Sequence, residues 1–149
     1  MPAYQTTYAG TLSPGYEGMI ANMEVTNIIS RTIETAGGVG FGKGVFQGAT
    51  DQAVATTGSS FRGVTVVDHN VRPTAAGTDG YAQGDTVSIM TKGVIWVLPT
   101  SNVTPGAPAY VTPAGAFSAT ATSNTAIPGG YFDSTATSGS LAKLRIGVL

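Results

Sequence analysis

The chain has 149 residues, a net charge of −1, no cysteine, and charged side chains at only 10% of positions. One domain of that size can bury a core of its own, and without cysteine it holds neither disulfides nor thiolate-bound metal. A near-neutral chain offers no electrostatic footprint for nucleic acid or an anionic membrane, and so uncharged a surface implies that partners cover part of it.

In chain order, the first element is residues 1–20, an extended, uncharged arm apart from Glu17, bearing Tyr4, Tyr8, Leu12 and Tyr16 around Ser13-Pro14-Gly15. It has no signal-peptide pattern, so secretion is not expected. The arm either docks on a neighbour or frays as a first edge strand. Residues 21–149 form a single β-rich domain. Glu17–Ile29 places Met19, Ala21, Met23 and Val25 at period two, which predicts extended or irregular chain rather than helix. Strands are predicted over Ile28–Thr35, Gly42–Gln47 and Phe61–Val67, the last ending at the turn residues Asp68-His69-Asn70. Thr86–Thr91 and Val94–Leu98 read as a hairpin around Lys92-Gly93.

The last third predicts a meander. Ala107–Thr112 turns at Pro113-Ala114-Gly115 into Ala116–Ala119. Asn124–Ile127 and Tyr131–Asp133 form a strand broken at Pro128-Gly129-Gly130. After Ser138-Gly139-Ser140, the final strand alternates Ala142, Leu144, Ile146 and Val148 against Lys143 and Arg145. Gly48–Ser60, Pro73–Gly80 and Phe117–Asn124 are rich in Thr, Ser, Ala and Gly and read as long loops. Short strands with frequent turn signals, including 21 glycines and 8 prolines, predict an all-β fold. It is a small antiparallel β-barrel or sandwich, β-tulip or jelly-roll-like. The longest apolar run, Val94–Leu98, is too short to cross a bilayer.

No constellation carries recognisable chemistry. Gly37–Gly44 satisfies G-x-x-x-x-G-K, but Gly44 stands where a Ser or Thr hydroxyl should reach Mg²⁺, and no helix pattern follows. A glycine-rich turn with two closely approaching backbones explains it better. His69 is the only histidine. Its neighbour Asp68 would point to the opposite face of a strand, and no Gly-x-Ser-x-Gly elbow is present, so His69 reads as a turn residue. The carboxylates Glu17, Glu24, Glu34, Asp51, Asp68, Asp79, Asp85 and Asp133 are scattered. Asp79 and Asp85 lack the dense pattern of a calcium loop. No catalytic, metal or cofactor residue is assigned. Trp96, Tyr110, Tyr131 and Phe132 raise a stacking platform for sugars or bases. Trp96 lies in the most apolar strand, however, and reads as core; basic residues do not interleave with these aromatics.

Several segments follow one another in a recognisable order. They are Pro14–Ala21, Ile28–Arg31, Gly40–Val45, Phe61–Val66, Tyr81–Val87, Lys92–Val97, Ile127–Phe132 and Gly139–Ile146. Over about Gly10–Leu149 this order resembles the structural cement proteins of tailed bacteriophages. The resemblance implies a non-enzymatic protein on the outer capsid surface of the virion, made in the host cytoplasm. It would bind and bridge neighbouring major capsid proteins and stabilise the shell, with Tyr4, Tyr8, Leu12 and Tyr16 as the contact arm. By analogy it would self-associate as a homotrimer, with a homodimer as the alternative. It implies no cofactor, no nucleic acid and no membrane. The competing expectations are another virion component, such as a tail-tube or fibre-associated domain, and a carbohydrate-binding module.

Overall fold

A computed structural model describes residues 10–11, 13–71 and 77–147. Among these it contains nine strands and no helix. β1 (Asn27–Ile33), β2 (Gly44–Gln47), β3 (Ala53–Ala55), β4 (Phe61–Thr65) and β5 (Thr86–Val97) come first. β6 (Pro108–Val111), β7 (Phe117–Ser118), β8 (Thr125–Phe132) and β9 (Ala142–Ile146) follow. The ladder order β1-β3-β2-β4-β5 returns to β1 through a β1–β5 pairing, which closes a five-stranded barrel. All ladders are antiparallel except β1–β3, which is parallel through Thr32–Ala53 and Ile33–Val54. Beyond Lys92, β5 leaves the barrel and joins a second sheet in the order β5-β9-β8-β6-β7. That sheet curls back on β5's exit, where Thr100 N–H donates to the Phe117 carbonyl at 2.8 Å.

β5 corrects the expected hairpin at Lys92-Gly93. The two predicted strands are one strand of 12 residues. Its halves find different partners: Thr86–Lys92 pairs with β1, Met90 and Ile89 also with β4, and Gly93–Val97 pairs with β9. The pairing jumps from Ile28–Met90 to Asn27–Lys92, so Thr91 is an extra, bulged residue. Gly93 follows at φ +130°. The glycine therefore marks a bend between two sheets and not a reversal of the chain.

Two loop expectations also give way. Gly48–Ser60 contains β3, and its Val54 is fully buried in the barrel wall. Three residues with alanines on either side carry too little periodicity to betray a strand. Phe117–Asn124 opens with β7, and Phe117 is buried. Within Pro73–Gly80, residues 73–76 lie outside the described residues, as does Val148 of the final strand. The expected break at Pro128-Gly129-Gly130 survives as a distortion inside β8. Tyr131 pairs with Pro108, and Ala126 with Tyr110, across a register irregularity. β9 alternates as expected, with Ala142, Leu144 and Ile146 buried and Lys143 and Arg145 half-buried.

The apolar side chains form two cores. Ile33, Val45, Val54, Val87 and Ile89 fill the barrel, together with Val39 and Tyr81. The Tyr81 ring meets Phe41 edge-on at 5.4 Å, and its hydroxyl donates to the Val66 carbonyl at 2.6 Å. Burial pushes that phenol's pKa up. The second core lies between the outer barrel wall (Phe46, Val64, Met90) and the second sheet (Val97, Val111, Phe117, Phe132, Leu144). Thr65, buried in β4, is satisfied: its hydroxyl donates to the Gly40 carbonyl at 2.7 Å and accepts from Lys43 N–H at 3.0 Å.

Candidate interaction surface

Trp96 is buried, at 7% exposure, but belongs to neither core. It is covered by the segment that precedes β1. Residues 15–21 form a strap whose later part pairs antiparallel with the edge of β5 that β9 leaves free, through an Ile20–Ile95 bridge. Gly18 N–H donates to the Trp96 carbonyl (2.8 Å), Trp96 N–H to the Met19 carbonyl (2.9 Å), and Ala21 N–H to the Val94 carbonyl (2.9 Å). The Gly15 backbone lies directly on the indole: a Cβ there would stand 2.7 Å from Trp96 Cδ1 and Nε1. Lys143 Nζ approaches the ring at 5.4 Å from its centroid. The expectation that Trp96 is buried holds, although the cover is the strap and not the core.

Three further contacts fasten the strap. The Glu17 carboxylate pairs with Lys43 Nζ. Gly18 packs on Gly42, where a Cβ on Gly42 would stand 2.7 Å from the Gly18 nitrogen. Gly37–Gly44 is thus a turn with two closely approaching backbones, and its lysine holds a carboxylate. Tyr16 Oη lies 2.9 Å from His69 Nε2, with the rings edge-to-face at 5.8 Å. Beside them opens a cleft of about 210 Å³ lined by Tyr16, Phe41, Val67, His69, Val71 and Asp79, among others. His69 is a turn residue there, as expected, and Asp68 Oδ1 accepts from Asn70 N–H at 2.9 Å. Among the described residues no group of three or more His, Asp or Glu side chains is placed to hold a metal.

Past the strap, residues 22–26 form a bent ribbon that leads into β1. Glu24 is drawn onto Arg145: Arg145 Nη2 donates to Glu24 Oε1 at 2.7 Å, and Nη1 meets Oε2. Arg145 also reaches Asp133 at 3.2 Å and lies over the Tyr131 ring at 5.7 Å. The hydrogen bond from Arg145 holds the Glu24 carboxyl below its ordinary range and raises the guanidinium in return. Asn22 Oδ1 accepts from Glu24 N–H at 3.1 Å, and Thr26 Oγ1 donates to the Glu24 carbonyl at 2.9 Å.

This pinning has a consequence for its neighbours. With Glu24 turned to the protein, Met23 and Val25 are turned to water, at 102% and 77% exposure. The charge is tied to Arg145 at the surface while the apolar groups on either side of it stand in solvent, the reverse of ordinary patterning. Tyr16, Ile20 and Ile28 are exposed as well. Every large hydrophobic that is exposed among the described residues therefore lies between Tyr16 and Ile28. Met23 and Val25 also rim an open groove of about 460 Å³ with Lys92, Gly93, Arg145 and Ile146. Of the residues expected at a contact surface, Tyr16 belongs to this strip, while Tyr4, Tyr8 and Leu12 lie outside the described residues. Ile20, Met23, Val25 and Ile28 went unassigned on sequence. The signal for them is the period-two run from Met19 to Val25, once Glu24 is known to be tied to Arg145. The stacking platform, already disfavoured on sequence, is not assembled from these side chains: Trp96 and Phe132 are buried, and Tyr131 lies under Arg145.

A closed small barrel with an attached curled sheet and an exposed apolar ribbon before β1 is an all-β architecture. Residues 4–147 match the family model described as structural cement protein (E217 gp24/Pam3 gp6), and the chain belongs to that family of phage structural proteins. No curated protein sequence matches it. Its fold is similar to that of a chain from the capsid of Myoviridae phage XM1. The two are 13% identical, 98% of each chain is covered, and the TM-score is 0.76. A chain of the head fiber gp8.5 N base in bacteriophage phi29 is 15% identical over 83% of this chain and 95% of that one, at a TM-score of 0.48.

Proposed function

We propose that this protein is a non-enzymatic capsid cement. It binds the outer surface of a phage head and bridges neighbouring major capsid proteins, and the strip from Tyr16 to Ile28 is its contact surface. The single observation that carries this reading is the concentration of exposed large apolar side chains in that strip. Contiguous apolar surface rimmed by polar groups marks interaction sites. Membership of the structural cement family supplies the partner class. Full burial of Met23 or Val25 on a partner is worth about 1.5–3 kcal/mol each. Many copies on one shell multiply the effect of a modest interface. Tyr4, Tyr8 and Leu12, which lie outside the described residues, are proposed as further contact residues, and self-association as a homotrimer belongs to the same proposal.

The test is reconstitution. Heads of the parent phage stripped of this protein are mixed with the purified chain, and bound copies are counted after sedimentation. Saturable binding and a higher melting temperature of the reloaded heads are expected. Stripped heads that take up no protein would remove the reading.

A further inference from the structure

β1 is unprotected on one side over half its length. β3 pairs only with Thr32 and Ile33, so Asn27–Arg31 has β5 on one flank and, among the described residues, no strand on the other. The bond directions follow from the neighbours. Ile33 N–H donates to the Asp85 carbonyl at 3.1 Å on the β5 side, whereas Thr32 N–H donates to the Gln52 carbonyl at 2.9 Å on the β3 side. Successive residues of an antiparallel strand bond to alternate sides. Ile28 and Ser30 therefore share the outward direction of Thr32. The Ser30 carbonyl already accepts from Arg31 Nη1 at 2.8 Å. What remains open is the N–H and carbonyl of Ile28 and the N–H of Ser30.

Soluble proteins guard such edges with lysine, proline, charge or cover. From Val25 to Ser30 the sequence is Val-Thr-Asn-Ile-Ile-Ser, without lysine, proline or charge, and the one guard is Arg31, whose guanidinium covers the Ser30 carbonyl alone. Ile28, at 42% exposure, stands in the middle of the stretch and continues the apolar line of Met23 and Val25. The opening is a notch. It is bounded at one end by the β2–β3 turn, which reaches Thr32 through Gln52. A second copy fits this notch poorly. Its β1 carries its own β2–β3 turn beside Thr32, which must enter the same opening. A free, extended segment fits without that collision.

We propose that Asn27–Ser30 is a β-augmentation site, and that its occupant is an uncharged extended segment of the shell protein, added as a strand beside β1. This deepens the capsid-cement reading and rests on it. Main-chain bonds would supply register, and Met23, Val25 and Ile28 the apolar contact.

The test uses the full chain and stripped parent heads. Ser30→Pro removes the outward N–H without touching the β1–β5 ladder, a change tolerated on an edge. Ser30→Ala removes only the hydroxyl. Binding of Ser30→Pro should fall by about tenfold or more, the equivalent of one or two hydrogen bonds, and Ser30→Ala should bind like wild type. In wild type, hydrogen exchange at the Ile28 and Ser30 amides should slow on binding, while Ile29 and Arg31 are already protected in the free chain. If Ser30→Pro does not fold, judged by Trp96 fluorescence, the amide exchange decides alone. Wild type that binds heads with Ile28 and Ser30 still exchanging freely overturns the augmentation and leaves the cement reading standing. Loss of self-association in Ser30→Pro with head binding intact gives the edge to a second copy and overturns the proposal. Failure of wild type to bind heads removes the cement reading itself.

Discussion

Replacing Met23 and Val25 together by serine separates folding from binding. Both side chains stand in water in the free chain, at 102% and 77% exposure. Their loss should leave stability within about 0.5 kcal/mol, as for surface changes elsewhere. On a partner the account is different. Full burial of two such side chains contributes about 3–6 kcal/mol by transfer. Interface ordering and imperfect burial reduce what appears as affinity. A net loss of about 3 kcal/mol corresponds to a fall of more than a hundredfold in affinity for stripped heads. The assay is a titration of heads with labelled protein, run beside thermal melts of the free chain. Affinity within about threefold of wild type, with unchanged melting, would refute the assignment of the strip. A large drop in melting temperature would refute the premise that these side chains are idle in the free fold.

Other outcomes follow from the same geometry. Glu24→Gln removes the charge that pins the ribbon, so amides of residues 22–26 should exchange faster while the barrel's do not. The pH dependence has a definite sign. The Glu24 carboxyl is held below its ordinary value of 4.5, chiefly by the hydrogen bond from Arg145. Its contribution is therefore complete above that value and is lost as the pH falls through the lower folded one. Protection of the ribbon amides relative to their intrinsic exchange rates, followed by NMR, should fall in that acid range and stay flat near neutrality. Gly15→Ala would place a methyl 2.7 Å from the indole. It should lift the strap, red-shift Trp96 emission and cost about 1–3 kcal/mol; unchanged emission and melting would contradict the strap's role as cover. Val54→Ala opens a void in the barrel wall at a fully buried site. It should cost about 2 kcal/mol, read as a melting shift of roughly 4–8 °C.

β9 was legible because it is half-buried and its charges alternate with its apolar residues, so periodicity and environment agree. β5 was not, because both of its halves alternate and the Lys92-Gly93 pair between them also suits a turn. Only the separate partners of the two halves distinguish a bend from a reversal, and partner choice is a tertiary matter. β3 is three residues long and borrows its order from β1 and β2. The contact strip shows the same limit from the other side. The alternation of Met23 and Val25 is visible, but its direction depends on Arg145, which lies 121 residues along the chain from Glu24. Read without that pairing, the apolar side would be assigned to the core. Hydropathy places Trp96 in the interior, yet it is the strap that buries it, through Gly15, whose lack of a side chain permits the contact.

The most direct test of the account is electron cryo-microscopy of stripped heads reloaded with this chain. The account predicts the barrel on the outer surface with Tyr16–Ile28 buried against the shell and a shell-protein strand beside Asn27–Ser30. Density in which that ribbon faces solvent while another surface holds the shell would contradict it.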